Sequence, residues 1–378
     1  IRQDVMVSKK TGLTFITEGL FIRLMHLDPH LSKVKVVILD EFHERNIHTD
    51  LAIALIRKLQ DTIRPDLKLV VMSATLDTKA LEEYLPQVKT FNIKGSVFPV
   101  EEEYLPQSQN RRVYWEDHAK EAILQMLTDK RCGKNILVFL PGRGEINKLL
   151  SILKNEIPST LATLLPLAST ISTTDQKKVF TRDGSRKIVL ATNIAETSLT
   201  LPDITGVVDL GLARIAGFAP WSGMQSLELQ PISKASAIQR AGRAGRTEPG
   251  LVYRLYSHED FTNRKTFTPP DIERMDLAQT LLDLLALDIN PELLPWFESP
   301  NERNSTSAMS LLKLLGAIND HEKITPFGLS MAKVPMSPRL SALVAKGMNS
   351  NFCEDSLLAA CLISEGPLVK GNSPEEDE

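Results

Sequence analysis

Short, continuously apolar runs alternate with longer segments in which apolar residues recur every three or four positions, up to about Asn263. Uninterrupted apolar runs are typical of parallel strands covered on both faces, and the longer spacing is typical of helices that pack on them. We therefore predict two doubly wound α/β sheets. The predicted strands are Lys35–Asp40, Leu67–Ser73, Asn135–Leu140, Lys187–Thr192, Gly206–Leu210 and Gly250–Tyr256. The predicted helices are Asp50–Gln60, Thr78–Tyr84, Tyr114–Leu127, Gly144–Asn155 and Lys234–Gly242.

A different pattern begins after about Asn263, where Leu-rich helical stretches enclose a loop–strand–loop segment, Asn319–Pro335. This pattern predicts a small helical domain with a wing, then the start of a helical bundle and an acidic, disordered tail. Earlier, two alternating stretches around Ala219–Met224 predict a β-hairpin at about 213–232, either a strand-separating wedge or an ordinary sheet edge. A composition shift near Ile93–Asn110 marks a boundary. The predicted domains are 1–97, 98–264, 265–336 and 337–378.

Composition limits the class of protein. The chain has 378 residues, a net charge of −3 and 42% hydrophobic residues, which is typical of a globular protein without a uniformly basic surface. A localised basic groove for nucleic acid remains compatible with this charge. The three cysteines are too few and scattered for a disulfide framework, which favours a reducing, cytoplasmic setting. No apolar run reaches the ~20 residues of a membrane span, so no membrane partner is expected.

Two adjacent acids, Asp40 and Glu41, directly follow the apolar run Val36–Leu39. In an open parallel sheet, ligands bind beyond the carboxyl ends of the strands, and a carboxylate there can hold Mg²⁺ on a nucleotide. Glu41 would then orient or deprotonate a water, and His43 would hydrogen-bond to a neighbouring domain. The alternative is a solvated turn in which Asp40 caps a helix.

Two further strand ends carry small or polar residues. Ser73, Ala74 and Thr75 end the next apolar run, at a distance that suits the neighbouring strand of the same sheet, although Ser and Thr are also common caps. Gly142 and Arg143 follow another run, and a nucleic-acid backbone could approach the glycine closely. A plain strand-to-helix turn is the alternative at this second position.

The segment Gln239–Arg246 is the strongest chemical signal. On one continuous helix, Gln239, Arg243 and Arg246 would share a face, which the intervening Ala and Gly residues keep open. Guanidinium groups bind phosphate bidentately and can stabilise a transferring phosphoryl group. An exposed basic helix end is the alternative, but it leaves two helical glycines unexplained, each costing up to ~1 kcal/mol relative to alanine.

A polar turn follows the apolar run that ends at Ala191. Thr192, Asn193 and Thr197 offer short hydroxyl and amide groups, which suit phosphates and sugars without reading sequence. Thr192 and Glu196 also fit a helix-capping box, and the two interpretations are compatible.

Together these motifs resemble, in order and spacing over nearly the whole chain, the DEAH/RHA group of superfamily 2 helicases. The Walker B variant is Asp40-Glu41-Phe42-His43, with Phe42 in place of the commoner Ala. The Asp-Glu-Phe-His-Glu-Arg form and the segment around Asp209–Met224 look similar to the bacterial HrpB-like branch.

The resemblance implies two RecA-like sheets of the P-loop NTPase type, the first incomplete, followed by a winged-helix and ratchet region. It implies an ATP-dependent RNA helicase that uses ATP and Mg²⁺ and binds single-stranded or partly duplex RNA. The implied catalytic residues are Asp40, Glu41, His43, Gln239, Arg243 and Arg246, and Asp40 and Glu41 also hold Mg²⁺. The implied nucleotide contacts are Asp40, Glu41, Phe180, Thr200, Asp203 and Gly242, with Phe180 stacked on adenine. The implied RNA contacts are Thr17, Glu18, Gly19, Gly142, Arg143, Thr192, Asn193 and Thr197. Ser73, Ala74 and Thr75 would couple hydrolysis to domain motion.

Two departures from the family pattern change the expectation. The ribose-binding Asp of many relatives falls at Pro202 here, with the acid at Asp203 instead. No G-x-x-x-x-G-K-[ST] phosphate loop occurs in the chain. We therefore expect the chain to be a fragment of a longer helicase, and we expect weak nucleotide binding by the fragment because phosphate-loop backbone N–H groups and Lys are missing.

Three alternatives remain open at this point. The first is an RNA-binding or scaffold protein derived from a helicase, and the second is a DNA translocase of the same superfamily. The third is a metal-dependent phosphohydrolase that uses Asp40 and Glu41 alone.

Overall fold

The structure, a computed structural model, describes residues 8, 10–74, 78–85, 87–93, 98–106, 114–168, 173–197, 199–219, 224–348 and 350–365. The chain forms two compact units. One comprises Ile1–Thr90, Phe218–Gln225 and Pro270–Glu378, and the other comprises Phe91–Gly217 and Ser226–Pro269.

The first unit contains a two-stranded parallel sheet. Helix α1 (Glu18–Leu27) precedes β1 (Val36–Leu39), and α2 (Ile47–Thr62) connects β1 to β2 (Lys68–Val71), which α3 (Thr78–Tyr84) follows. A helical crossover is the connection that parallel pairing requires. The predicted parallel arrangement of these two strands is confirmed.

The remainder of the first unit is helical. An isolated antiparallel bridge joins Ile318 and Ile324 at the start of the predicted wing. The predicted loop–strand–loop character of Asn319–Pro335 was wrong over Pro326–Ala332, which form a helix that begins after the N-cap Thr325. The helices are α9 (Asp271–Arg274), α10 (Ala278–Ala286), α11 (Glu302–Leu314), α12 (Pro326–Ala332), α13 (Pro338–Met348) and α14 (Cys353–Glu365).

One apolar core joins both parts of the first unit. It contains Phe42 and Leu51 from the α/β part together with Leu282 and Leu312 from the helical part. Because the burial of apolar side chains is the main favourable contribution to folding, these two parts stabilise each other.

The second unit is built on a six-stranded, wholly parallel sheet with the strand order β3-β10-β7-β4-β6-β5. The strands are β3 (Val100–Tyr104), β4 (Asn135–Phe139), β5 (Thr163–Leu167), β6 (Lys187–Ala191), β7 (Ile204–Asp209) and β10 (Gly250–Arg254). The helices are α4 (Trp115–Thr128), α5 (Arg143–Glu156), α6 (Thr173–Phe180), α7 (Lys234–Ala241) and α8 (His258–Asn263). A separate two-stranded sheet pairs β8 (Leu212–Ala219) with β9 (Met224–Pro231), and residues 220–223 between them lie outside the described ranges.

The central strands of this sheet end in register. Phe139 of β4 lies opposite Ala191 of β6 and Asp209 of β7. The segments that follow these three residues therefore emerge at one edge of the sheet, which is where ligands bind in open α/β folds.

The predicted strands and helices lie within three residues of the observed ones, and the α/β class with parallel sheets is confirmed. Strands β3 and β5 were not predicted, since β3 carries three Glu residues and β5 contains Pro166. Both strands lie at the edges of the sheet, where polar residues and proline are tolerated. Among the described residues, no helix has the length and apolar character needed to span a bilayer.

Candidate nucleotide and nucleic-acid site

Asp40 and Glu41 lie at the carboxyl end of β1. The backbone N–H of Glu41 donates to Asp40 Oδ1 at 2.8 Å, and Glu41 adopts a left-handed conformation with φ of 50°. Its side chain is 42% exposed. The next residue, Phe42, is fully buried, and its N–H donates to the Met72 carbonyl beyond β2 at 3.0 Å. The buried ring and the bent backbone therefore direct both carboxylates away from the strand.

His43 joins these acids to the end of β2. Its side chain is 7% exposed, and its Nδ1 lies 3.5 Å from Glu41 Oε2. The same Nδ1 accepts a hydrogen bond from the Ala74 backbone N–H at 3.4 Å. The structure thus brings Glu41, His43, Ser73 and Ala74 together, whereas Thr75 lies outside the described residues.

The acid pair fits a magnesium ion that is shared with phosphates. Within the described residues, no cation pairs with Asp40, and no cluster of three His, Cys, Asp or Glu side chains could hold a metal alone. Mg²⁺ commonly takes one or two carboxylates and completes its shell with water and substrate phosphate. Asp40 therefore offers what such an ion requires when nucleotide is present.

Thr17 and Gly19 line a cavity of about 560 Å³ within the first unit. Thr17 is the N-cap of α1, and Glu18 begins that helix and accepts a hydrogen bond from Asn46 Nδ2 at 3.4 Å. Arg23 and His48 also line the cavity, and neither was predicted from the sequence. Arg23 follows Gly19 by four residues on one helix face, and this spacing was the available signal.

Gly142 and Arg143 emerge at the carboxyl edge of the six-stranded sheet. A Cβ atom on Gly142 would lie 2.1 Å from Arg214 Nη1, and Arg214 makes two hydrogen bonds to Glu145 at 2.7 and 3.0 Å. The Arg214–Glu145 ion pair therefore lies directly against Gly142. Arg143 is exposed at the start of α5.

The turn after β6 leaves the same edge of the sheet. Thr192 precedes a 3₁₀-helix, Asn193–Ala195, but its side chain makes no capping hydrogen bond. The capping box was wrong, because the Glu196 carboxylate instead accepts a hydrogen bond from Arg240 Nε at 2.9 Å. Asn193 is exposed and Thr197 is half-buried.

The prediction that Gln239, Arg243 and Arg246 share a face of one continuous helix was wrong. Helix α7 ends at Ala241, and tighter turns follow, with the N–H of Arg243 bonded to the Arg240 carbonyl. A Cβ atom on Gly245 would lie 2.7 Å from the Phe98 carbonyl oxygen. Close packing against the chain before β3 thus accounts for the departure from helix, and Gln239 alone of the three lies within α7.

The two arginines beyond α7 have different environments. The buried Arg243 guanidinium donates to the backbone carbonyls of Glu196 and Leu199, so it shapes the turn after β6. Arg246 is exposed, and its Nη1 lies 3.3 Å from Thr200 Oγ1. Arg246 is therefore the better placed of the two to meet a phosphate in solvent.

Arg240 is a buried residue of this segment that was not predicted from the sequence. Its side chain is 1% exposed and bonds Glu196 at 2.9 Å and Asp209 at 2.8 Å, above the Phe139 ring at 4.7 Å. Burial works against its charge, but Asp209 and Glu196 outweigh that effect and raise the pKa of Arg240. An acid at the end of a buried strand, Asp209, was the signal that a buried cation must lie nearby.

The residues predicted to contact adenosine lie in the second unit. Phe180 ends α6 with 39% of its surface exposed. Asp203 has left-handed backbone geometry with φ of 56°, and its Oδ2 lies 3.3 Å from Nε of Arg182, two residues beyond Phe180. Thr200 is exposed and Gly242 is half-buried at the C-cap of α7.

Two family models match within the chain. The helicase conserved C-terminal domain matches residues 118–248, and the winged-helix helicase-associated domain (HA2) matches residues 308–336. The fold, the motifs and these matches define the class that this chain resembles: it is homologous to the DEAH/RHA group of superfamily 2 helicases.

Within that class, the chain is similar to the ATP-dependent RNA helicase HrpB of Escherichia coli, with 39% identity over 99% of this chain. It is 33% identical to the ATP-dependent RNA helicase HrpA of the same organism, and 38% identical to the pre-mRNA-splicing factor prp22 of Schizosaccharomyces pombe. Two crystal structures of E. coli HrpB superimpose on this chain with TM-scores of 0.86 and 0.88.

The chain spans only part of these relatives. It covers 46% of HrpB, 30% of HrpA and 32% of prp22. Homology to ATP-dependent RNA helicases thus extends over this chain and leaves more than half of each of these relatives unmatched.

Proposed function

We propose that this chain contributes part of the ATPase site and part of the RNA path of an ATP-dependent RNA helicase. The observation that carries the proposal is the geometry of Asp40 and Glu41. Two carboxylates leave the carboxyl end of a parallel strand, next to the buried Phe42 ring, and the half-buried His43 contacts Glu41. That is the position from which an acid pair acts on a nucleotide in α/β folds.

In this proposal, bound Mg²⁺ neutralises charge on the nucleotide phosphates. Asp40 holds that ion, and Glu41 orients the attacking water and accepts its proton. His43, through its contacts with Glu41 and Ala74, relays changes at the acids to the end of β2. In the second unit, the exposed Arg246 guanidinium contributes positive charge to a nucleotide phosphate, and Gln239 and Arg243 are proposed to act in the same site, with Arg243 shaping the turn after β6.

The proposed RNA contacts are of the backbone type. Thr17 and Gly19 present a hydroxyl and a helix N-terminus to the 560 Å³ cavity, and Arg23 and His48 add groups that bind phosphate. In the second unit, Arg143, Asn193 and Thr197 leave the sheet at its carboxyl edge. Contacts of this kind position a nucleic-acid strand without reading its bases.

The test uses the protein translated from the complete reading frame that contains this chain, which we call the complete gene product. Its ATP hydrolysis is measured with Mg²⁺, with and without single-stranded RNA. Glu41→Gln should lower kcat by about a hundredfold or more, because it removes a general base without changing side-chain shape. RNA binding, measured by fluorescence anisotropy, should be retained.

Glu44→Gln is the matched control, since Glu44 lies in the 3₁₀-helix that directly follows Glu41 but outside the proposed machinery. The proposal is contradicted if Glu41→Gln hydrolyses ATP at the rate of Glu44→Gln. Stimulation by DNA but not RNA would favour a DNA translocase, and RNA binding without any hydrolysis would favour a scaffold. The 378-residue chain itself, which has no phosphate loop, should show no hydrolysis that depends on Glu41.

A further inference from the structure

The residue next to the catalytic acids is anchored in the helical part of the first unit. Phe42 is fully buried, and its ring meets the ring of Phe297 edge to face, with centroids 5.5 Å apart. Phe297 lies between α10 and α11, more than two hundred residues along the chain from the acids. A bulky ring at the position of the commoner Ala therefore reaches a partner that a methyl group would not.

A second contact strengthens this attachment. Tyr84, at the end of α3, packs on Phe297 with centroids 5.2 Å apart, and its hydroxyl donates to the Pro295 carbonyl at 2.5 Å. Phe297 is thus held between two aromatic rings from the α/β part of the unit. Edge-to-face pairs of this kind favour one relative orientation of the rings.

Arg45 adds charge to the same attachment. Its guanidinium lies 4.6 Å from the centre of the Phe297 ring and bonds Asp50 at 2.8 Å and Glu298 at 2.9 Å. Burial works against its charge, but the two carboxylates outweigh that effect and raise the pKa of Arg45. The Arg45 carbonyl also accepts from the Asp271 N–H at 3.0 Å, at the start of α9.

The backbone between these anchors has an unfavourable conformation. Glu41 and Arg45 both have positive φ values, 50° and 48°, and neither is glycine. Left-handed geometry at such residues persists only where surrounding contacts hold it. Phe42, His43 and Arg45 make such contacts in this turn, and Phe42 and Arg45 are the two that reach Phe297.

We propose that Phe42, Arg45, Tyr84 and Phe297 form a clasp through which the segment Pro295–Glu298 holds Glu41 in its left-handed conformation. Phe297 is then a positioning residue for ATP hydrolysis, although it touches neither nucleotide nor water. The effect on ATP hydrolysis rests on the proposed function. The effect on the conformation of Glu41 rests on the geometry alone.

The structural consequence is tested first, by amide hydrogen exchange on the complete gene product. Phe297→Ala should speed exchange at Glu44 and Arg45, whose N–H groups bond the Glu41 and Phe42 carbonyls, by about tenfold. Phe327→Ala is the matched control: it truncates an aromatic side chain of α12 that packs on the same apolar core and lies outside the clasp. Equal exchange at these two amides in both variants overturns the clasp.

The catalytic consequence is tested by steady-state kinetics. Phe297→Ala should lower kcat for ATP by about tenfold or more with little change in KM, because a misplaced Glu41 affects the reaction more than binding. Phe297→Tyr, which keeps the ring, should restore kcat, whereas Phe297→Leu, which keeps only apolar bulk, should not. Equal kcat in the Ala and Tyr variants overturns the positioning role. An inactive wild-type protein contradicts the proposed function instead, and the exchange result then decides the clasp.

Discussion

At the residue scale, the buried Arg240 has the strongest consequences for stability. Arg240 donates hydrogen bonds to Asp209, which is fully buried, and to Glu196. Arg240→Leu would remove the nearer cation from the buried Asp209 carboxylate and leave Arg254 at 4.0 Å, so we expect a loss of up to about 3–5 kcal/mol in the free energy of unfolding. Urea denaturation followed by circular dichroism measures this loss.

The control for this prediction is Lys134→Met, which removes an ion pair with Glu248 on the surface of the same unit. That substitution should leave the unfolding midpoint nearly unchanged, because water screens exposed pairs. If Arg240→Leu is as stable as Lys134→Met, the buried Asp209 carboxylate does not depend on Arg240 for its stability.

At this scale, the sequence allowed the selection of residues whose signal is local, but not of residues whose partners are distant in sequence. Asp40 and Glu41 could be selected because their position after an apolar run is visible in sequence. Arg240 could not, since its two acidic partners are distant in sequence and only the fold brings them together. For the same reason, the Arg214–Glu145 contact beside Gly142 could not be predicted from the sequence.

At the element scale, Gly144 and Gly245 differ in the space that surrounds them. Gly144 lies in α5 with open space around its Cα, whereas a Cβ on Gly245 would meet Val100 and the Phe98 carbonyl. Gly144→Ala should stabilise the protein by up to about 1 kcal/mol, because it reduces the entropy of the unfolded chain. Gly245→Ala should destabilise it by about 1–3 kcal/mol through overpacking.

Thermal unfolding of the two variants side by side measures both effects. A stable Gly245→Ala protein would show that the turn after α7 tolerates a side chain, and close packing at Gly245 would then not be the cause of the helix ending at Ala241. A destabilised Gly144→Ala protein would indicate an unrecognised contact at the start of α5.

Strands could be predicted where burial on both faces gives a continuous apolar run in the sequence. The central strands β4, β6 and β7 are buried on both faces, and their apolar runs could be recognised. The exposed pattern of β3 has no such constraint, so its three Glu residues hid it. The end of α7 at Ala241 depends on a tertiary contact of Gly245, which no local pattern contains.

At the scale of the whole molecule, the apolar core of the first unit unites segments that are far apart in sequence. Phe42 and Leu51 share it with Leu282 and Leu312. The two pairs fall in different predicted domains, 1–97 and 265–336, and that division stays a prediction, because composition reports local character and not long-range packing. The clasp at Phe297 follows from this shared core and could not have been predicted from either segment alone.

The central claim is that Asp40 and Glu41 form part of an ATP-hydrolysing site. The most direct test is an experimental structure of the complete gene product with Mg²⁺, ADP, a trigonal phosphate mimic and single-stranded RNA. We predict a magnesium ion between Asp40 and the phosphates, and the Glu41 carboxylate within hydrogen-bond distance of a water next to the mimic. A nucleotide whose phosphates lie near neither Asp40 nor Glu41 would contradict the account.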